Sequence, residues 1–358
     1  MQEDFHYYAT YCAAFLAGYE HLECMDICYS AQFVDLCSET LLSSIGAPHA
    51  AATTQLIFEM ADAGTDAGSI REITGVWASF HFLPRDLKAD IKRGTKRYKD
   101  RYRLICGPNG ELIADTVALA KGGSLQAAGI AMHVLADTWA HMYFAGTPSL
   151  VINNTNHYMY EILPDGSERQ INFSIKSGGD DPETGKYKAS LFHPSETSVM
   201  NLGHGRAGHL PDYSFMKYRY LPAWGGYEEI IKDNPADYYR AFCQMVYALK
   251  TLRDPESKFE TDRYDTVSVG PLEEKIKTIL NIRQLSASEE WKTLGEELSG
   301  ETIEDFDIEK YRSEYMKAPA DEKNGTFIGK FITAAFAQKK MITGKIAGSG
   351  NRLAGDRA

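Results

Sequence analysis

The chain has 358 residues, 44% hydrophobic and 24% charged, the balance of an ordinary globule that could hold two average domains or one helical core with insertions. With 38 basic and 49 acidic side chains the net charge is -11, which excludes a general nucleic-acid-binding surface but not a local cationic pocket made by metal ions. No stretch reaches ~18 uninterrupted apolar residues, so no integral membrane protein is expected, and the start MQEDFHYYATYC lacks a basic segment followed by an apolar one, from which a cytoplasmic location is expected.

Apolar spacing of three and four from Phe5 to Leu42 predicts one or two opening helices, stopped by Gly46-Ala-Pro48. The six cysteines, four of them in this opening region and none in a CxxC pair, read as buried free thiols. A turn-rich stretch, Asp62 to Gly68, leads to the aromatic segment Val76–Pro84, and a basic helix is expected from Asp86 to about Tyr98. Gly107-Pro-Asn-Gly110 between two apolar runs predicts a β-hairpin near 102–115, and Pro164-Asp-Gly166 predicts another near 158–175. Ser177 to Lys188 reads as a mobile surface loop. Helical patterns follow at Pro235–Leu252, Pro271–Leu298, Glu301–Met316 and Phe327–Ile346, before a glycine-rich flexible tail at 347–358. The expectation is a mainly α protein with short β-hairpin insertions: a metal-binding core over 1–255, C-terminal helices over 256–346 in the same domain or a small subdomain, and the tail.

Most functional information lies in His133-Val-Leu-Ala-Asp137-Thr-Trp-Ala-His141. Three ligand-type residues recur every fourth position, and at ~100° per residue they share an arc of roughly 80° on one helical face. The surrounding segment is otherwise small and apolar, so the helix is expected to be buried, and a carboxylate with two imidazoles there needs partners. Two readings stay open from the helix alone: a divalent-metal site, or a core polar network in which the three satisfy one another. Further candidates are His6, Asp35, His81 between two phenylalanines, and the loop Gly203-His-Gly-Arg-Ala-Gly-His-Leu-Pro-Asp212 with His204, His209 and Asp212. Arg206 in that loop is a candidate phosphate partner, since a guanidinium offers bidentate contacts. Tyr7, Tyr8, Tyr213, Tyr218 and Tyr220 cluster near these groups as candidate pocket walls. His21, His49, His157 and His193 read as surface or core residues.

On these residues the chain resembles the zinc-dependent phospholipase C and P1 nuclease superfamily, whose signature is an HxxxD helix followed by another histidine. The His133, Ala136, Asp137, Trp139 and His141 pattern is similar to the glycosylphosphatidylinositol-specific phospholipase D variant. The combination DFHYYATYCAA, VLADTWAH and GHGRAGHLPD resembles more closely an uncharacterised bacterial family, domain of unknown function 6765, over roughly residues 1 to 255.

The resemblance implies a phospholipase C/P1 nuclease-like helical core and two to three divalent ions, zinc foremost. It places Asp35, His81, His133 and Asp137 on one ion, with Asp137 bridging to another that takes His6, and His141 on a third with His204 and either His209 or Asp212. Secreted members of the superfamily also use the amine of a processed N-terminal residue. Here five residues precede His6, and Asp4 is the group the sequence offers instead. The late His-x-x-x-Glu pair of those enzymes is absent.

Such a cluster supports hydrolysis of a phosphoester, with Asp137 or Asp35 orienting the attacking water and a small phosphoester or phospholipid head group as substrate. No HExxH, GxSxG or phosphate-binding loop competes with that reading. The alternative from another class is a non-catalytic helical protein whose metal is structural or binds a partner.

Overall fold

The structure, a computed structural model, describes residues 1–63, 66–91, 94–156, 158–174, 179–226 and 228–354. It is mainly helical, and its centre is the helix Leu125–Ala140, which starts where the Ser124 hydroxyl accepts from the Ala127 amide at 3.3 Å. Four helices surround it: His21–Phe33, Glu111–Ala120, Asn234–Arg253 and Phe327–Gly348. A helix packed on all sides has no face for water, which accounts for its run of alanines. Gly129 is required at the tightest crossing, because a Cβ there would stand 2.3 Å from the Ile27 carbonyl oxygen of the neighbouring helix.

The opening segment folds as a π-helix, Asp4–Ala9, continuing directly into the α-helix Thr10–Leu16. Phe5 packs edge-on against Tyr238 and Trp291, with ring centroids 4.9 and 6.0 Å apart. The later helices therefore cover the opening helix, and one apolar cluster runs from Phe5 through Trp291 to Ile346.

The β structure is small. Strands β1 (Met159–Ile162), β2 (Glu168–Gln170), β5 (Lys217–Tyr220) and β6 (Ile230–Asp233) form an antiparallel sheet in the order β2-β1-β5-β6. Tyr160 pairs with Gln170 on one side and Arg219 on the other. Strands β3 (Asn172–Ser174) and β4 (Lys186–Lys188) make a parallel pair. The hairpin expected near 158–175 is β1 with β2.

The hairpin expected near 102–115 does not form. Ile105 and Cys106 make only isolated bridges, to Ala145 and Pro84, while Glu111 opens the helix Glu111–Ala120 behind Gly110. Leu112, Ile113, Thr116, Val117 and Ala120 are the buried positions, a three-and-four spacing that outweighs the Pro-Asn-Gly turn signal. The basic helix lies later than expected, at Lys96–Tyr102, because Thr95 supplies its cap. The pattern over 271–298 divides into Glu273–Asn281 and Ser288–Ser299.

The stretch 179–188 is pinned: Asp180 accepts from the Tyr213 hydroxyl at 2.6 Å, Pro182 O accepts from Arg283 at 2.6 Å, and residues 186–188 are strand. Ser177 and Gly178 of that expected loop lie outside the described residues. The tail is also anchored as far as it is described, since Asn351 is buried and donates to Asp100 O at 2.7 Å, and Ala354 is buried. All six cysteines are buried and free. Among the described residues no helix is long and apolar enough to cross a membrane.

Candidate metal centre

Four segments converge on one face of the central helix. The π-helix brings His6, and the turn after His21–Phe33 brings Asp35. The C-terminal end of Ala67–Phe80 brings His81, and the 203–212 loop brings His204 and Asp212. That loop is fixed from outside. Asn234 donates to Leu210 O and Tyr213 O, both at 2.8 Å, the Tyr238 hydroxyl donates to Pro211 O at 3.0 Å, and Gly208 runs at φ 57° where a Cβ would strike Lys188 O.

Four imidazoles are oriented in the same way. His133 Nδ1 donates to Ala31 O at 2.9 Å, His81 Nε2 to Thr53 O at 3.0 Å, His141 Nδ1 to His81 O at 2.8 Å and His204 Nδ1 to Gly208 O at 2.7 Å. Carbonyls only accept, so each contact fixes the proton on the outer nitrogen and aims the inner lone pair into the site. His133 Nε2 and His81 Nδ1 consequently face each other at 3.3 Å, lone pair to lone pair, unless a proton or a cation lies between them.

The three carboxylates fill the space between. Asp137 Oδ2 lies 3.1 Å from His133 Nε2 and 3.3 Å from His81 Nδ1, while its Oδ1 lies 3.1 Å from His6 Nε2. Asp35 Oδ1 lies 3.7 and 3.8 Å from the same His81 and His133 nitrogens, and its side chain is the most exposed of the three carboxylates at 31%. Asp212 Oδ1 is 3.0 Å from His141 Nε2 and 3.6 Å from His204 Nε2. Among the described residues, candidate ligand atoms within 4.8 Å of one another thus form three groups: His6, His133 and Asp137; Asp35, His81 and His133; and His141, His204 and Asp212.

His6 is stacked on His133 with ring centroids 3.8 Å apart, and both its ring nitrogens are buried without a hydrogen bond. Burial, the His133 ring and the Met1 amine push its pKa down to about 3, so it is a neutral imidazole with lone-pair capacity. Burial likewise pushes His204 down to about 4, against the opposing pull of Asp212. Burial raises the Asp137 carboxyl, but His141, the Met1 amine, His133 and His6 outweigh it and hold Asp137 well below the usual carboxylate range. Asp212 is held low by the same balance, burial opposed by His204 and the amine.

Sequence reasoning missed the Met1 amine. It lies 2.8 Å from Asp137 Oδ1, 3.4 Å from Asp212 Oδ1 and 3.4 Å from His141 Nε2. Burial lowers its pKa, yet Asp137, Asp212 and Asp35 together raise it to about 11. A backbone terminus has no side-chain signature, so no motif could have announced it. Asp4 does not take that place: it accepts from the Ala287 amide at 2.9 Å and burial lifts its carboxyl to about 6.

Three other expectations change. His209 stands outside the cluster, its side chain 58% exposed, donating from Nδ1 to Asp212 Oδ2 at 3.0 Å, a contact that raises its pKa. Arg206 is buried, donating to Ser190 O at 2.8 Å and lying over the Phe192 ring, so its guanidinium is spent on the loop itself. The tyrosines are core or clamp residues: Tyr7 donates to Glu304 O at 2.8 Å, Tyr8 to Asp305, Tyr213 to Asp180, and Tyr218 and Tyr220 are fully buried. His21, His49 and His193 make local contacts with Tyr11, Ser43 and Ser195, while His157 lies outside the described residues.

Fold and site together define a mainly helical protein with a buried histidine–aspartate cluster suited to divalent ions. The chain matches the family of unknown function DUF6765 over residues 1–346 and belongs to it. The match extends through the C-terminal helices, well past the 255 residues over which the likeness was read from the sequence. No curated protein and no solved structure matches the chain.

Proposed function

We propose that the cluster holds two to three divalent ions, zinc most readily, and that the protein is a metal-dependent phosphoester hydrolase with a phospholipase C/P1 nuclease-like core. The observation that carries the metal reading is the common orientation of His81, His133, His141 and His204. Each gives its outer proton to a main-chain carbonyl and turns a lone pair towards Asp35, Asp137 or Asp212. A polar network built for its own sake would alternate donors with acceptors, whereas here four imidazole lone pairs converge with three carboxylates, and His6 adds a neutral imidazole stacked on His133.

Ions bound there would bridge phosphate oxygens, lower the pKa of a coordinated water towards ~7 and offset charge on the leaving oxygen. Asp137 has both oxygens committed and is 1% exposed, which suits a bridge between cations. Asp35, open to solvent, is the better placed group to hold and deprotonate the water. His209, protonated more readily than a free histidine because Asp212 holds its Nδ1 proton, has the exposure to deliver a proton to the departing oxygen. The near-complete burial of His6, His133 and Asp137 favours a second reading, a closed structural metal site without turnover.

Hydrolysis of bis-aryl phosphate by zinc-loaded protein separates the two. The proposal expects metal-dependent turnover that falls at least about a hundredfold in His81→Ala and at least about tenfold in Asp35→Asn. Zinc-loaded protein inert on phosphomonoesters, phosphodiesters and phospholipids alike would establish the structural reading instead.

A further inference from the structure

A cavity of about 910 Å³ opens beside the C-terminal end of the central helix, lined by Trp139 and Met142 rather than by any of the metal-centre side chains. Its size falls in the range of small-molecule sites. Six aromatic side chains line it: Tyr102, Trp139, Tyr143, Trp224, Tyr239 and Tyr264.

The walls are fixed by hydrogen bonds between polar ends of the lining residues. Trp139 Nε1 donates to Gln244 Oε1 at 2.8 Å, Gln244 Nε2 to Asn109 Oδ1 at 2.8 Å, and Asn109 Nδ2 to the Tyr264 hydroxyl at 2.8 Å. This chain of bonds ties two rings in edge-on contact, centroids 6.1 Å apart, through their polar ends. Trp224 is held by its Nε1 donating to Tyr143 O at 3.3 Å, with Tyr102 edge-on to it at 5.9 Å.

Backbone strain collects at the same place. Three non-glycine residues among those described have positive φ, and two of them, Asn109 at 63° and Tyr143 at 81°, line this cavity. Tyrosine has no local means of relieving that conformation, so its cost is sustained by the surrounding structure, as at ligand sites.

The charges are unevenly committed. Of the two acids on the wall, Asp237 is paired with the buried Lys232 at 2.5 Å and Asp86 accepts from the Lys88 amide at 2.8 Å. The guanidinium groups of Arg85 and Arg240 make no ion pair or hydrogen bond among the described residues. Aromatic walls with two uncommitted arginines match one ligand chemistry, a flat ring that stacks and an anionic group that accepts bidentate hydrogen bonds.

We propose that this cavity is a second ligand site, for a small planar aromatic molecule carrying an anionic group. The proposal does not depend on the metal reading. Its test is titration of the full chain with naphthalene sulfonate, followed by calorimetry and tryptophan fluorescence, beside the neutral naphthalene methanol and the non-aromatic cyclohexane sulfonate. The expected result is saturable binding of one molecule per chain, at least about tenfold tighter than either analogue. In Arg85→Ala/Arg240→Ala the affinity should fall at least about tenfold, with the melting midpoint and the zinc content unchanged because both side chains are exposed. Arg240→Glu should weaken the sulfonate further and leave the neutral analogue unaffected. Equal affinity for the neutral or the aliphatic analogue, or a double variant that binds like the wild type, overturns the proposal.

Discussion

Replacing Asp137 by asparagine keeps its shape and removes one buried negative charge. In the metal-free protein that charge faces the Met1 amine at 2.8 Å and His6 Nε2 at 3.1 Å, and the side chain is 1% exposed. Without it the amine retains Asp212 at 3.4 Å as its counter-charge, so the loss stays below the roughly 3–5 kcal/mol that a buried charge left with no partner costs. With metal the effect is larger. An ion present at about a hundred times its Kd adds about 2.7 kcal/mol to stability, so two ions add about 5 kcal/mol, and a neutral amide cannot screen two adjacent cations. Calorimetry on stripped and zinc-reloaded protein, with elemental analysis of the same samples, reads both quantities. Wild type should hold at least two zinc ions per chain and melt higher with zinc; Asp137→Asn should hold at least one fewer and lose most of that rise, with its helical circular dichroism kept. A variant with wild-type zinc content refutes the bridging role, and wild type holding less than about one ion refutes the metal centre.

Gly129→Ala should destabilise by about 1–3 kcal/mol and weaken zinc binding together, because a Cβ placed 2.3 Å from Ile27 O pushes the His133 helix from the segment carrying Asp35; urea midpoints and zinc titration on one sample check this. In stripped protein, His6 with a folded pKa of about 3 and His204 with about 4 refuse protons that the unfolded chain accepts below about 6.5. The unfolded state then binds more protons, so stability should decline as pH drops from about 6.5 towards 4, and a urea midpoint unchanged between pH 7 and pH 5 would contradict the burial of these rings. The Met1 amine, raised to about 11, contributes stability that is complete below pH 8 and lost as pH climbs to 11. Acetylating that amine should lower the melting midpoint at pH 7 and remove its share of the alkaline loss; an unchanged midpoint would mean the amine is not paired with Asp137.

The histidine–aspartate cluster was legible where periodicity carries it. His133, Asp137 and His141 on one helical stripe, within a run too apolar to face water, required polar partners, and the bulk of their partners were nameable because lone histidines and aspartates at apolar boundaries are unusual. The helices at Asn234–Arg253 and Phe327–Gly348 were likewise plain from spacing. The hairpin expected near 102–115 failed because a turn signal is local, whereas burial of Leu112, Ile113 and Val117 against the central helix is a tertiary effect. The choice of Asp212 over His209 was equally out of reach, since two residues in one loop differ only in which side the clamps from Asn234 and Tyr238 turn inward. Main-chain groups have no letters: the Thr53, Ala31, His81 and Gly208 carbonyls that orient the imidazoles, and the Met1 amine beside Asp137, exist as site components only once the chain is folded. The sequence by itself determined which residues need partners, through the cost of burying polar groups in apolar helices; the tertiary structure decided which partners they meet, because that depends on distances between segments a hundred residues apart.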